Sequence, residues 1–198
     1  MIYVVGLGPG GKDEMTPRAF AALERCDVIL GYKTYIELIA PLFPHKNLIP
    51  SAMRQEEDRC REALRLALSG RVVGLVSSGD PGVYGMAGLM LEIACVHQGG
   101  EGQVEVEIVP GITAATSAAA ALGAPLTHDF AVVSLSDLLT PRELIERRLD
   151  AAGQADFVVC LYNPSSHGRP HHFQWACDIL LRHKSPDTPA LSSLPSGY

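Results

Sequence analysis

Short apolar runs recur along this chain with helix-length segments between them, and that alternation is what most limits its fold. The runs IYVVG (2–6), DVILG (27–31), RVVGLVS (71–77), FAVVSLS (130–136) and DFVVCLYNP (156–164) read as buried strands. QVEVEIVPG (103–111) alternates Val104, Val106 and Ile108 with polar residues and reads as a half-exposed strand. Helices are expected over 16–26, 55–70, 85–97, 112–123, 140–152 and 171–183. A repeating β-α order predicts an α/β protein with a mostly parallel sheet.

Local signals sharpen the boundaries. Thr16 is placed to cap a helix whose first residue is Pro17. Ala63, Leu64, Ala67 and Leu68 form one apolar face, and Gly70 stops that helix. Thr140, Pro141 and Glu143 have the spacing of a capping box. The Gly-Ala-Pro break at 123–125 predicts two lobes, 1–124 and 125–198. Residues 185–198 show no periodicity and are expected to be irregular, with PALSS a weak strand candidate.

Composition removes several function classes. A 47% apolar content suffices for a packed core, and a net charge of -6 without any basic cluster argues against a nucleic-acid partner. No apolar run approaches membrane-spanning length. The N-terminus enters a strand at once, so no signal peptide is expected. The five Cys stand singly, without a C-x-x-C pair, which disfavours zinc or a disulfide framework. Cys95 and Cys160 are expected as small core residues. His171 and His172 are adjacent and read as a solvated pair rather than ligands of one metal. A cytoplasmic protein without a metal is the expectation.

The chemistry-bearing segments are glycine-rich. SSGDPGVYGMAG (77–88) joins a strand to a helix, as phosphate-cradling loops do, yet it holds no Lys or Arg and carries Asp80. From the residues alone, Asp80 reads as a cap of the following helix. GLGPGGKD (6–13) satisfies G-x-G-x-x-G through Gly6, Gly8 and Gly11, and falls one residue short of a P-loop, with Asp13 where Ser or Thr belongs. Both readings conflict with a helix that starts only at Thr16, and Pro9 removes one N–H from the loop. Gly31 and Tyr32 end the second strand, where a dinucleotide fold places an acidic ribose anchor.

The segments VVGLGPGGKDEMTPRA, DVILGYKTYI, MRQEEDRC, SSGDPGVYGMAGL, VPGITAATSAAAALGAPLTHDFAVVSLSDLLTP and DFVVCLYNPSS together resemble the tetrapyrrole (corrin/porphyrin) methylases, and within them the precorrin-3B C17-methyltransferase branch. The resemblance implies two α/β lobes, each a mainly parallel sheet with flanking helices, and S-adenosylmethionine bound in the cleft between them. It implies methylation of C17 of a precorrin-3B or cobalt-bearing tetrapyrrole, ring contraction to precorrin-4, and a homodimer. A methylase for another ring position and an inactive remnant stand as alternatives, and a nucleotide-dependent ATPase rests on the near P-loop.

Carried onto this chain, the cofactor positions are Pro9, Ser78, Gly79, Asp80, Val83, Thr113, Ala114, Leu161 and Tyr162. Thr113 reads equally well as a helix cap, and Tyr162 as strand-end packing. Gly8, Lys33, Arg54 and His128 are the expected tetrapyrrole contacts, the cations facing its carboxylates. His128 and Asp129 are candidate proton handlers, although such residues at a strand start are more often structural. No catalytic residue is assigned: methyl transfer to carbon mainly needs two aligned substrates and excluded water. Relatives continue with further strands where this chain reads ALSSLPSGY, so a truncated chain with an incomplete second lobe is expected.

Overall fold

The computed structural model describes residues 1–53, 55–97, 103–124, 126–166 and 168–192. Arg54, expected to meet a substrate carboxylate, lies outside the described residues. The described residues form two compact units, divided between residues 117 and 118, inside one helix, α5 (Ala114–Ala121). The boundary read from the sequence sits just past the end of that helix.

The first unit is built from β1 (Ile2–Gly6), α1 (Pro17–Arg25), β2 (Val28–Tyr32), α2 (Lys33–Ile39), β3 (Asn47–Ser51), α3 (Glu56–Leu68), β4 (Val73–Ser77), α4 (Ala87–His97) and β5 (Val106–Val109). Its five strands are parallel in the order β3-β2-β4-β1-β5. Strand periodicity of two sorts the core onto the two faces. Ile2, Val4, Val28, Leu30, Val73 and Leu75 pack with Cys60, Ala63 and Ala67 of α3 and Met90 and Ala94 of α4. Tyr3, Val5, Ile29 and Val76 pack on the other face with Ala19 and Leu23 of α1 and Ile36 and Ile39 of α2. Each fully buried Ile, Leu or Val stabilises by about 1.5–3 kcal/mol.

This arrangement fixes where a ligand can enter. β1 and β4 are neighbours, yet the connection leaving β1 runs through α1 on one face and that leaving β4 through α4 on the other. Adjacent strands whose connections diverge open a crevice at their carboxyl ends, the usual ligand position in such sheets.

Thr16 caps α1 as the sequence indicates, its side chain accepting from the Ala19 amide at 3.1 Å. On α3, Ala63, Leu64 and Ala67 are buried but Leu68, the last residue of the helix, is 42% exposed. Neither α2 nor β3 is expected from the sequence pattern. α2 is only seven residues long, and β3 contains Pro50. A proline is tolerated on an edge strand, and β3 is an edge.

The second unit holds β6 (Phe130–Ser134), α6 (Arg142–Gln154), β7 (Val158–Tyr162) and α7 (His172–Leu180). β6 and β7 pair in parallel, from Phe130 opposite Val158 to Ser134 opposite Tyr162. One core joins them to both helices: Val133, Leu135, Ile145, Leu149, Ala176 and Ile179. On the opposite face of the pair, Phe130 and Val158 are 43% and 44% exposed. No strand follows α7 among the described residues.

Three local expectations are corrected here. The capping box does not form, since Pro141 occupies the cap position of α6 and no side chain caps it. The shift of one residue leaves Glu143 in the first turn, where it still suits the helix dipole. Cys95 is exposed and Cys160 half-buried, whereas Cys26 and Cys60 are the fully buried thiols. His172 is not a solvated partner of His171: its side chain is only 12% exposed and meets Asp137.

Candidate functional site

Three exit loops meet at the carboxyl ends of β4, β1 and β5. Leu7 N donates to Ser77 O (2.9 Å), Gly8 N donates to Gly79 O (3.0 Å), and Ile112 N donates to Gly8 O (3.2 Å). The loop after β1 is therefore bonded through its backbone to both neighbours. Glycine makes this possible. A Cβ on Gly6 would stand 2.5 Å from Gly79 O, 2.6 Å from Gly111 N and 2.8 Å from the Pro81 ring. On Gly8 it would meet Ile112 O and lie 2.5 Å from Gly79 Cα, and on Gly111 it would run into Gly79 O and the Gly6 carbonyl. Gly79 itself has φ +57°, a conformation that favours glycine.

Asp80 closes the same assembly. Its Oδ1 accepts from Gly82 N (2.8 Å) and its Oδ2 from Gly111 N (3.1 Å). Helix α4 begins only at Ala87, so Asp80 does not cap it. The loop reaches α4 through Ala87 N donating to Pro81 O (2.9 Å) and Met86 N donating to Ser77 Oγ (3.3 Å). Asp80 thus joins the β4 loop to the β5 loop, whereas the residues alone indicate a helix cap and the resemblance a cofactor contact.

Of the residues expected at the cofactor, Pro9, Ser78, Gly79, Asp80, Val83, Thr113 and Ala114 all lie on these three neighbouring segments, as does Gly8, expected at the tetrapyrrole. The Gly8–Pro9 peptide is cis. Ser78 Oγ donates to Tyr35 Oη (2.9 Å), and Val83 N donates to Asp80 O (3.2 Å). Thr113 immediately precedes α5, and its carbonyl accepts from Ser117 N and Thr116 Oγ1, each at 3.1 Å. Lys33 opens α2 and faces Glu37 at 3.7 Å, both side chains well exposed.

Leu161 and Tyr162 belong to the second unit, at the carboxyl end of β7, where Tyr162 O accepts from Leu135 N (2.9 Å). His128 and Asp129 precede β6, so they stand at the opposite end of the strand pair from Tyr162, and both are exposed.

Neither nucleotide motif has its structural context. α1 starts at Pro17, well beyond Gly11. A Cβ on Gly11 would meet nothing within 4 Å, whereas the third glycine of a dinucleotide fingerprint exists for close packing. Lys12 lies over the Phe20 ring, 5.8 Å from its centroid.

The second unit carries a polar cluster that sequence reasoning missed. Asp137, just beyond β6, lies 3.1 Å from His172 Nε2 and 3.6 Å from Arg169 Nε. Arg169 also donates to Leu135 O (2.9 Å) and Asn163 O (3.5 Å). Asn163, at φ +51°, donates from Nδ2 to Ser134 Oγ (2.9 Å). Burial pushes the Asp137 carboxyl up, but its own backbone amide, His172 and Arg169 outweigh that and hold it below the ordinary carboxylate value. His172 packs edge-on to Trp175, over which the Arg142 guanidinium sits at 4.4 Å. The residues span four separate stretches of chain, which no spacing rule connects. Among the described residues, no three His, Cys, Asp or Glu cluster as a metal site would need.

The family model for the tetrapyrrole (corrin/porphyrin) methylases matches residues 1–192. This chain belongs to that family. Among tetrapyrrole methylases, it is 49% identical over 189 residues to a probable cobalt-factor III C(17)-methyltransferase of Salmonella typhimurium, covering 96% of this chain and 77% of that protein. It is 48% identical to the cobalt-factor III methyltransferase of Priestia megaterium, covering 95% of this chain but only 35% of that longer protein. The crystal structure of the methyltransferase CobJ superposes with a TM-score of 0.86 at 46% identity, over 93% of this chain and 77% of that one. A uroporphyrin-III C-methyltransferase of Thermus thermophilus, solved with S-adenosylhomocysteine, gives 0.67 at 27% identity over 93% of this chain and 73% of that one.

Proposed function

We propose that this chain methylates C17 of a cobalt-factor III or precorrin-3B type tetrapyrrole with S-adenosylmethionine as donor, in the branch that also contracts the ring to precorrin-4. The observation that carries the reading is the lock of three glycine-built exit loops at the sheet's switch point, closed by a carboxylate instead of a cation. Phosphate-binding loops use free amides and Lys. Here the Gly8 amide bonds Gly79 O and the Gly111 amide bonds Asp80.

S-adenosylmethionine fits such an edge because it carries an ammonium and a sulfonium and no phosphate. When bound it supplies an electrophilic methyl group on sulfur. The role of this chain is alignment and exclusion of water. The locked backbone of 8–9, 78–83 and 111–114 presents a rigid rim, with Ser78, Val83 and Thr113 as the side chains nearest a ligand. Leu161 and Tyr162 are proposed to border the adenine, and Lys33 to meet a carboxylate of the tetrapyrrole. His128, at the far end of β6 from Tyr162, is the weakest of the proposed substrate contacts.

Similarity to cobalt-factor III methyltransferases supports this activity, and the S-adenosylhomocysteine complex of the uroporphyrin-III enzyme supports the donor. Incubation with the tetrapyrrole and methyl-labelled S-adenosylmethionine tests it. Transfer of one label, located at C17, is the expected result, and no transfer by a chain that binds S-adenosylhomocysteine rejects it. Cytoplasmic location and a homodimer belong to the same proposal, and light scattering tests the second. No helix among the described residues is long and apolar enough to cross a membrane.

A further inference from the structure

Arg59 is a buried cation that makes no ion pair among the described residues. It lies on the inward face of α3, in register with Ala63 and Ala67, and is 5% exposed. Its Nε donates to Ser51 Oγ (2.5 Å), its Nη2 to Ala52 O (3.0 Å), and its Nη1 reaches Met86 Sδ at 3.7 Å. Ser51 Oγ passes the contact on to Gly31 O (3.0 Å). All of these acceptors are neutral, and a thioether is a weak one. A buried charge held only by neutral groups is costly, and fold stability alone is better served by an apolar side chain of similar volume.

The position of the charge suggests its use. Ser51 ends β3, Gly31 lies at the carboxyl end of β2, and Met86 closes the loop after β4. Arg59 therefore places a positive charge, without a contact ion pair among the described residues, under the carboxyl ends of β2, β3 and β4. That is the flank beside the three-loop lock, which uses β1, β4 and β5. The same flank carries flat and apolar groups. Tyr32 and Tyr35 meet edge to face at 5.4 Å, Tyr35 accepts from Ser78, and Met53 and Tyr84 are 64% and 55% exposed.

We propose that Arg59 is a specificity-setting positioning residue: its charge makes the β2–β3–β4 flank select a macrocycle by the number of its carboxylates. The inference rests on the methylase reading. Arg59 does not touch the ligand. It acts through its field, which a low-dielectric interior screens weakly, and through its grip on the Ser51–Ala52 turn and Met86.

Fluorescence titration with an octacarboxylate porphyrin and its tetracarboxylate analogue tests this, with S-adenosylhomocysteine affinity by calorimetry as the control. Arg59→Met removes the charge and keeps the apolar stem. It is expected to weaken the octacarboxylate roughly fivefold to tenfold more than the tetracarboxylate, to flatten the salt dependence, and to leave the S-adenosylhomocysteine affinity within about twofold. Arg59→Lys keeps the charge and is expected to retain the preference. Equal weakening of both porphyrins by Arg59→Met makes Arg59 a mere pin and overturns the proposal. If Arg59→Met does not fold, Arg59→Lys decides, because loss of the preference in a variant that keeps the charge also overturns it. A wild-type chain that binds both porphyrins alike refutes this inference alone, and one that binds neither refutes the methylase reading with it.

Discussion

Asp80 Oδ2 accepts a hydrogen bond from the Gly111 amide across 3.1 Å, and this contact ties the exit loop of β4 to that of β5. With Oδ1 on Gly82 N, the carboxylate spends both oxygens inside the protein. Asp80→Asn exchanges one acceptor for a donor and leaves one amide without its partner. A loss of about 1–3 kcal/mol in urea unfolding is expected, together with weaker S-adenosylhomocysteine binding. Unchanged stability with abolished binding would instead make Asp80 a direct ligand contact.

Gly8→Ala and Gly11→Ala separate the lock from its surroundings. The first forces a methyl into Ile112 O and Gly79 Cα, all backbone that cannot step aside. A cost of about 1–3 kcal/mol or more is expected, with loss of methyl transfer. The second adds a methyl in open space and should change stability by less than about 0.5 kcal/mol. Thermal melts of the two variants give the comparison.

Burial pushes the Cys26 and Cys60 thiols up to about 12 each, despite the opposing Lys46 and Arg59 charges. Below the unfolded thiol value both states are protonated and nothing is lost. From about pH 9 upward the unfolded chain ionises and the folded one does not. Stability should then fall by about 1.4 kcal/mol per pH unit for each thiol, up to the folded value. Thiol reagents at pH 8 should label exposed Cys95 first, and Cys26 and Cys60 only on unfolding. Rapid labelling of Cys60 in the folded protein would contradict this.

Trp175 is the only tryptophan, and it lies against His172 in the second unit. Its fluorescence therefore reports that unit. The depressed Asp137 carboxyl contributes stability above the ordinary carboxylate range, and the contribution is lost as pH falls through the lower folded value. Urea midpoints followed at Trp175 should drop between pH 7 and acid in the wild type and drop less in Asp137→Asn. Parallel pH dependence in the two proteins would remove Asp137 from this role.

Much of the first unit can be read from the chain because its strands are buried on both faces and appear as unbroken apolar runs, as in IYVVG and VVGLV. The glycine loops are equally visible, but their partners are not. Nothing local says that Gly6, Gly79 and Gly111 touch, since the contact depends on a strand order in which β4 and β5 flank β1. α2 and β3 escaped because a seven-residue helix gives too few turns for a pattern and Pro50 disguises an edge strand. Arg59 did leave a signal: it falls at the spacing of Ala63 and Ala67, where a charged residue is out of place. His172 left none, because its partner Asp137 arrives from across the β6–β7 pair.

The contact between Gly6, Gly8, Gly79 and Gly111 is made of main chain against main chain. Side-chain interfaces can drift by compensating swaps, a larger residue here for a smaller one there. This one contains nothing to swap, so its geometry is closed to gradual sequence change. Divergence in ligand preference among chains built this way has to be written in the bordering side chains, such as Val83, Tyr84 and Thr113. The seat itself is inherited whole or lost.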